Sequence, residues 1–245
     1  MKGILIRMGI DSTKIYGGWN GPVDPVSREF IYVPLRARSE TIDNYTEVKD
    51  YLNHFCNRHK VNLSYDLNFP SYLENEYAHL DPDFNYLTYG DVGTRRGKKI
   101  QNFVEGDFIA FYGGLKPIRP CSHKTYYALM GLYVIEKWKW TSDIPYEKYK
   151  ENAHTRNLNL HENDIVVWAK PFLSGRLKNC IPIGEWRNGA YRVKQDILYE
   201  WGGLSVKNGF IQKSGNPPLF LEPDKFYSWF LKQNPILLQK NNVFY

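Results

Sequence analysis

The sequence predicts an α+β fold, with a mixed, mostly antiparallel sheet or a partly open β-barrel and peripheral helices. Two neighbouring runs rich in aromatic and β-branched residues, within 105–140, predict a long hairpin at the centre of this fold. Apolar residues recur at helical spacing from Thr46 to Lys60 and from Pro223 to Gln233, which predicts two helices.

The hairpin is predicted from the turn-forming residues at its strand ends as well as from its composition. Gly106-Asp107 is a turn signal before the first apolar run, and Gly113-Gly114 ends that run. The segment from Leu115 to Lys124 contains two prolines and no apolar periodicity, so we expect an exposed loop there. The second run continues to Trp138 and would pair antiparallel with the first.

Shorter elements are expected on both sides of the hairpin. Apolar runs predict further strands, and short amphipathic or capped segments predict further helices. The strands would cover 3–10, 29–34, 164–169, 181–183 and 209–212, and the short helices would cover 143–152 and 195–201. No linker, charge run or internal repeat divides the chain, so we expect one α+β domain over 1–245 whose core is roughly 100–140 plus flanking strands.

Composition indicates a folded chain with acidic partners. The 245 residues are 42% hydrophobic, 24% charged and 16% aromatic, with a net charge of +6. That charge favours nucleic acid as a partner. The three widely spaced cysteines signal neither a disulfide framework nor a cysteine zinc site. No signal peptide or membrane-spanning run is recognised, so we expect a cytoplasmic protein without a membrane partner.

Known catalytic motifs are missing. The sequence contains no Gly-x-Ser-x-Gly, dinucleotide glycine fingerprint, His-Glu-x-x-His or Cys-x-x-Cys. His54, Cys56 and His59 lie on the first predicted helix, but their spacing does not place them on one face. We therefore predict no metal site on this helix, name no metal ligand and identify no cofactor, and whether the chain is an enzyme stays open.

A glycine-rich loop follows the first predicted strand and is a candidate ligand site. It presents Asp11, Tyr16, Trp19 and Asn20, of which the rings could stack on a base and the polar groups could bond to its edge. The alternative is a turn whose glycines supply positive φ, with Trp19 closing the edge of the core. Tyr112 on the hairpin is a further candidate for stacking.

Two basic segments are candidates for phosphate contact. The first, 93–99, contains Arg95, Arg96, Lys98 and Lys99 just before the hairpin, and the second, 170–178, contains Arg176. Cations on loops are typical of phosphate-binding sites, and they are also typical of solvated surface.

Histidines beside carboxylates are the candidates for catalysis. His79 and Asp81, with Asp83 nearby, could form an acid–base or metal group, and the alternative is an Asp-Pro turn with solvated carboxylates. His154 and Arg156 fall where a short helix ends, a place suited to moving a proton or holding an anion.

Part of the hairpin resembles a known strand pair. Gly106-Asp107 to Tyr112, followed by Leu129 to Val134, resembles the strand pair of PUA-like barrels, the superfamily of the EVE, ASCH and YTH domains. This resemblance implies recognition of a modified base that is flipped into an aromatic pocket.

A second resemblance covers most of the chain. The motifs that carry it are Gly9 to Thr13, Tyr16 to Asn20, His79-Leu80-Asp81-Pro82, Tyr89-Gly90-Asp91, Gly106 to Tyr112, Asn152-Ala153-His154 and Ser174 to Leu177 before Ile181-Pro182-Ile183. They resemble the family called nucleotide modification associated domain 3. Gly175 interrupts the expected Ser-Arg-Leu pattern. The resemblance implies an association with systems that modify or process nucleic-acid bases.

Three functions remain open. The first is a protein that binds or processes a modified or unpaired nucleotide within a base-modification or defence-type system. The second is an enzyme acting on a nucleotide or nucleic acid through a pocket of His79, Asp81, His154 and Arg156. The third is a structural subunit whose exposed rings meet a protein partner.

Overall fold

The computed structural model describes residues 1–12, 18–38, 40–61, 67–94, 96–121, 124–157, 160–212 and 215–244. Its strands are β1 (Gly3–Arg7), β2 (Pro22–Val23), β3 (Leu35–Arg36), β4 (Ala78–His79), β5 (Thr88–Val92), β6 (Phe108–Pro117), β7 (Tyr126–Trp140), β8 (Asp164–Ala169), β9 (Gly175–Pro182), β10 (Gly184–Arg187), β11 (Ala190–Val193) and β12 (Leu237–Leu238). Its α-helices are α1 (Thr46–Arg58), α2 (Gly97–Ile100), α3 (Ala153–Arg156), α4 (Gln195–Glu200) and α5 (Pro223–Lys232). Short 3₁₀ helices cover Ser71–Leu73, Thr141–Asp143, Tyr146–Glu151 and Lys207–Gly209.

The main sheet is organised around β7. Its strand order is β1-β6-β7-β8-β5, with β9 also beside β7, β12 beside β9 and β2 beside β6. The pairs that β1 and β2 form with β6 are parallel, whereas β7 pairs antiparallel with β6, β8 and β9. The fold is therefore α+β with a mostly antiparallel sheet and peripheral helices, as predicted. Within the described residues the sheet does not close into a barrel, so the PUA-like strand pair is not confirmed.

β7 can pair with three strands because it is 15 residues long. One edge follows β6 from Tyr126 to Val134. The other edge pairs first with β9, between Ala128 and Leu132, and then with β8, from Ile135 to Trp140. The first half is apolar on both faces and buried, as expected for a strand covered on both sides.

Aromatic rings fill the core on both sides of the hairpin. Phe84, Phe111 and Tyr133 meet edge to face, an arrangement that the ring quadrupoles favour. At the start of β6, Phe108 stacks on Phe226 of α5 with 5.2 Å between ring centroids. Helix α5 thus covers the sheet with the apolar face that its sequence predicts.

Helix α1 packs in a second hydrophobic cluster. Its buried residues are Val48, Leu52, Phe55 and Cys56, and they pack with apolar residues from the segments before and after the glycine-rich loop. The predicted helix is confirmed and ends at Arg58, two residues before the predicted end. None of the described helices is long and apolar enough to cross a membrane.

Several boundaries differ from the sequence prediction. Strand β6 continues to Pro117, so the start of the expected loop belongs to the sheet. The segment 29–34 is buried but forms only a bridge from Phe30 to Val23. Segment 143–152 contains 3₁₀ helices, and 209–212 is not a strand. In segment 29–34 tertiary hydrogen bonds account for the difference, because the backbone of Tyr32 bonds to Asn242 instead of to a neighbouring strand.

Gly131 of β7 is packed too tightly for a larger side chain. A Cβ atom there would lie 2.8 Å from the ring of Phe84 and 2.9 Å from the carbonyl oxygen of Gly175. Neither neighbour can move freely, because one is a fully buried ring and the other is backbone of the paired strand β9.

We expect Gly131→Ala to lower the free energy of unfolding by about 1–3 kcal/mol, because overpacking displaces neighbours in a dense core. Chemical denaturation measures the change. Gly215→Ala is the control, since a Cβ there meets nothing within 4 Å. Equal stability of the two variants would contradict the tight packing at Gly131.

Candidate functional site

Four side chains from three separate segments meet beside β5, and we call them the His–Asp cluster: His79, Asp81, His154 and Asp164. His79 ends β4 and Asp81 follows two residues later. His154 lies on α3, and Asp164 begins β8 opposite Val92 of β5. The sheet and α3 thus bring together residues that are 85 positions apart at the extremes, from 79 to 164.

His154 bridges the two carboxylates of the cluster. Its Nδ1 lies 2.6 Å from Asp164 Oδ2, and its Nε2 lies 3.5 Å from Asp81 Oδ2. Burial opposes the charged imidazolium, but the hydrogen bonds and charges of Asp164 and Asp81 outweigh burial and raise the pKa of His154 to about 10. His154 is therefore charged at neutral pH.

His79 has the opposite character. Burial, followed by repulsion from His154, lowers the pKa of His79 to about 4, so its imidazole is neutral at pH 7. Its Nε2 lies 3.8 Å from Asp81 Oδ2, and its ring centroid lies 4.9 Å from that of His154. The side chain is 28% exposed, which leaves it accessible from solvent.

Asp81 is held by the backbone and by Asn152. The Gly90 amide donates to both carboxylate oxygens, at 2.9 and 3.0 Å, and Asn152 Nδ2 lies 3.3 Å from Oδ1. The same asparagine caps α3 by accepting from the His154 amide at 2.9 Å. One side chain therefore fixes the carboxylate and the helix that carries the histidine.

The cluster opens into a cleft of about 380 Å³, which we call the arginine cleft. Four arginines line it together with His79, His154 and Asp164. The lining residues are Arg7, Gly9, Asp11, Leu35, Arg36, Ala37, Arg38, Thr41, His79, Asp91, Val92, Arg96, Ala153, His154, Asn157, His161, Asp164 and Gly215.

Two of the lining arginines can bind an anion. Arg38 is exposed and makes no hydrogen bond or ion pair with the part of the chain that the structure describes. Arg96 is oriented by the buried Asp91, whose Oδ2 lies 3.0 Å from Arg96 Nε. The Tyr89 hydroxyl and the Val92 amide hold Asp91 in turn. The Nη groups of Arg96 bond to no described residue, so its planar fork is available for an oxyanion.

The structure corrects the role expected for Arg156. Its side chain is only 4% exposed and lies outside the arginine cleft. Nε donates to Asp43 at 2.9 Å, and Nη1 donates to Asp83 at 3.0 Å and to the Lys150 carbonyl at 2.8 Å. These bonds occupy the guanidinium, so Arg156 supports the fold and does not face an anion in the cleft.

Tyr112 and Arg176 are also corrected, because both are 1% exposed. The Tyr112 hydroxyl donates to the Ile211 carbonyl inside the core, so neither face of its ring can meet a base. Arg176 belongs to β9 and not to a loop, and its guanidinium carbon lies 4.6 Å from the centre of the Phe30 ring. Neither residue is placed to contact a nucleotide.

The candidate residues of the glycine-rich loop lie in different environments. Asp11 lines the arginine cleft and pairs with Arg7 at 3.1 Å. Asn20 Nδ2 donates to the Gly114 carbonyl at 2.6 Å, and Trp19 packs edge to face on Phe69. These contacts favour the alternative in which Trp19 closes the edge of the core. Tyr16 lies outside the described residues.

The first basic segment is divided by α2. Arg96 faces the arginine cleft, whereas Lys99 binds Asn216 and the Pro217 carbonyl at 2.6 and 2.8 Å. Lys98 is exposed on α2 outside the cleft. Arg95 lies outside the described residues.

Arg38, Asp91, Asn152 and Asp164 are not among the site residues that the sequence predicts. Asp91 and Asn152 stand in the motifs Tyr89-Gly90-Asp91 and Asn152-Ala153-His154, which carried the family resemblance. Those motifs were the available signal, since they adjoin His154 and β5 in the structure. From the sequence Asp164 is predicted only as the polar first residue of a strand. The pairing of β8 with β5 is what places it beside His154.

We expect Arg156→Ala to lower the free energy of unfolding by about 3–5 kcal/mol at pH 7, because it leaves the buried carboxylate of Asp83 and the partly buried carboxylate of Asp43 without their cation. Burial already raises the pKa of Asp43, and Arg156 opposes that rise. The penalty should therefore shrink as the pH falls and Asp43 becomes neutral. Denaturation at pH 7 and at lower pH measures this, with Arg36→Ala as a control for an exposed pair worth less than about 1 kcal/mol.

Gly90 leaves the space that His154 occupies. A Cβ atom at Gly90 would lie 2.3 Å from His154 Cδ2 and 2.7 Å from Asn152 Oδ1. We expect Gly90→Ala to displace the imidazole and break its bond to Asp164. The measurement is the NMR signal of the hydrogen-bonded His154 Nδ1 proton, assigned by its loss in His154→Gln. An unchanged signal in a folded Gly90→Ala chain would contradict this packing.

Comparisons with known proteins agree with the resemblance in the sequence. A family model described as nucleotide modification associated domain 3 matches residues 2–201, which include the whole His–Asp cluster. No curated protein and no solved structure matches the chain. Because the family model covers most of the 245 residues, the chain belongs to the nucleotide modification associated domain 3 family.

Proposed function

We propose that the chain binds and processes a phosphate-bearing nucleotide unit, free or within a nucleic acid, in the arginine cleft. The observation that carries this proposal is that three members of the His–Asp cluster, His79, His154 and Asp164, line the same cleft as several arginines. The name of the family associates it with nucleotide modification, which supports a nucleotide as the ligand.

Arg38 and Arg96 would hold the phosphate. Arg38 offers a guanidinium with no competing partner among the described residues, and Arg96 is pre-oriented through Nε by Asp91. Pre-orientation matters because a guanidinium that is already held loses less conformational entropy when it binds. The net charge of +6 adds a long-range attraction for the same ligand.

Processing is favoured over simple recognition by the composition of the cleft. Its described lining contains no Phe, Tyr or Trp, so among the described residues neither a phenyl nor an indole ring is offered there to stack on a base. Instead it contains a neutral imidazole at His79 beside the charged His154. Titratable groups whose pKa values are driven apart by their surroundings are typical of catalytic sites.

We expect Arg38→Ala to weaken binding of single-stranded nucleic acid or nucleotide about tenfold and to reduce the salt dependence by about one phosphate contact. Lys98→Ala is the matched control, since it removes the same charge from an exposed position outside the cleft. Fluorescence anisotropy over a salt series, with single-stranded DNA, duplex DNA, RNA and mononucleotides, measures both effects.

A second variant separates charge from geometry. Arg96→Lys retains the charge but loses the planar fork, so it should also weaken binding several-fold. Equal effects of the changes at residues 38 and 98 would indicate a diffuse charge effect and contradict the cleft as the binding site. Absence of binding to every ligand at low salt would overturn the proposed function.

A further inference from the structure

We propose that His79, Asp81 and His154 bind one divalent first-row transition-metal ion, with an open coordination position toward the arginine cleft. The role of such an ion in a reaction rests on the proposed function, but its binding does not. Three lines of observation carry the inference: the convergence of the ligand atoms, the donor set and the outer hydrogen bonds.

The ligand atoms converge on one point. One ligand atom from each of the three residues lies within 4.8 Å of the others. Asp81 Oδ2 is 3.5 Å from His154 Nε2 and 3.8 Å from His79 Nε2. A tetrahedral ion with bonds of about 2.0–2.2 Å holds its ligand atoms about 3.3–3.6 Å apart, so side-chain shifts of about 1 Å complete the geometry.

The donor set selects the class of ion. Two imidazole nitrogens and one carboxylate oxygen suit zinc, iron or cobalt, whereas magnesium and calcium prefer sites made only of oxygen. The sequence does not show that the three ligands meet, because His79 and Asp81 lie 75 and 73 positions before His154. Only α3 packing on β5 unites them.

The hydrogen bonds that the proposed ligands make to other residues are typical of a metal site. His154 Nδ1 lies 2.6 Å from Asp164 Oδ2, which leaves Nε2 as the atom directed at Asp81 and His79. A carboxylate on the far nitrogen of a metal-bound imidazole fixes its orientation and increases its basicity. Asp81 is likewise fixed, by the Gly90 amide and Asn152.

Three protein ligands leave at least one position open. Structural zinc sites are closed by four protein ligands, while sites that act on a substrate keep a position for water or for the substrate. The accessible side of this group is at His79, which is 28% exposed and lines the arginine cleft. A phosphate held by Arg38 or Arg96 would therefore lie on the open side of the ion.

The test is titration of the full-length, chelator-treated chain with Zn²⁺ by calorimetry and with Co²⁺ by visible absorption, with Mg²⁺ as the contrasting cation. We expect one Zn²⁺ per chain, the d–d bands of a nitrogen- and oxygen-ligated Co²⁺, and no comparable binding of Mg²⁺. His79→Ala and Asp81→Asn should each weaken Zn²⁺ binding about 100-fold or more. His54→Ala is the control, since this histidine lies on α1, away from the cluster.

Asp164→Asn tests the outer bond separately. As a positioning residue it should weaken Zn²⁺ binding about 10–100-fold and shift the Co²⁺ bands while one ion still binds. Circular dichroism and thermal melting without metal confirm that each variant is folded.

Three outcomes would overturn the metal site: no Zn²⁺ binding by the parent chain, unchanged affinity in folded His79→Ala and Asp81→Asn, or equally tight binding of Mg²⁺. Nucleotide binding measured in the presence of a chelator separates this failure from failure of the proposed function. A chain that binds nucleotide but no metal loses only the metal site, and one that binds metal but no nucleotide loses only the proposed function.

Discussion

The pairing of β7 on both of its edges is the constraint on which the rest of the structure depends. Because β7 is 15 residues long, one edge can follow β6 while the other holds β9 and then β8 in succession. The position of β8 fixes β5, its antiparallel neighbour, and so brings Asp164 beside Val92. The site at the end of β5 is thus a consequence of how far β7 extends.

Buried polar groups around β5 are compatible with this fold because they bond to one another and to the backbone. Burial of a carboxylate or imidazole is costly unless charge and hydrogen bonds replace the lost water. Asp81 accepts a hydrogen bond from the Gly90 amide, and Asp164 pairs with the His154 imidazole. On the other side of α3, Arg156 pairs with the carboxylates of Asp43 and Asp83. Arg156 therefore stabilises the fold around α3, while the accessible imidazole in the His–Asp cluster is that of His79.

Residue type alone did not separate site residues from core residues. Tyr112 and Arg176 have the side chains that a nucleotide site uses, but both are buried by neighbouring strands and the C-terminal segments. Arg156 stands two positions after His154 and points away from the cleft, because residues two apart on a helix do not share a face. His79, Asp81 and His154 were all recognised as candidates, and the structure brings these three together.

The sequence by itself determined the fold class, the central hairpin, helices α1 and α5 and the family, because these follow from local periodicity, turn chemistry and motifs read along the chain. Tertiary structure alone decided which polar residues meet. Asp164 is predicted only as the first residue of a strand, and it becomes the partner of His154 because β8 pairs with β5 while α3 packs over Gly90. Contacts between residues distant in sequence depend on strand register and on the space beside a glycine. Neither can be predicted from the local pattern of apolar and polar residues.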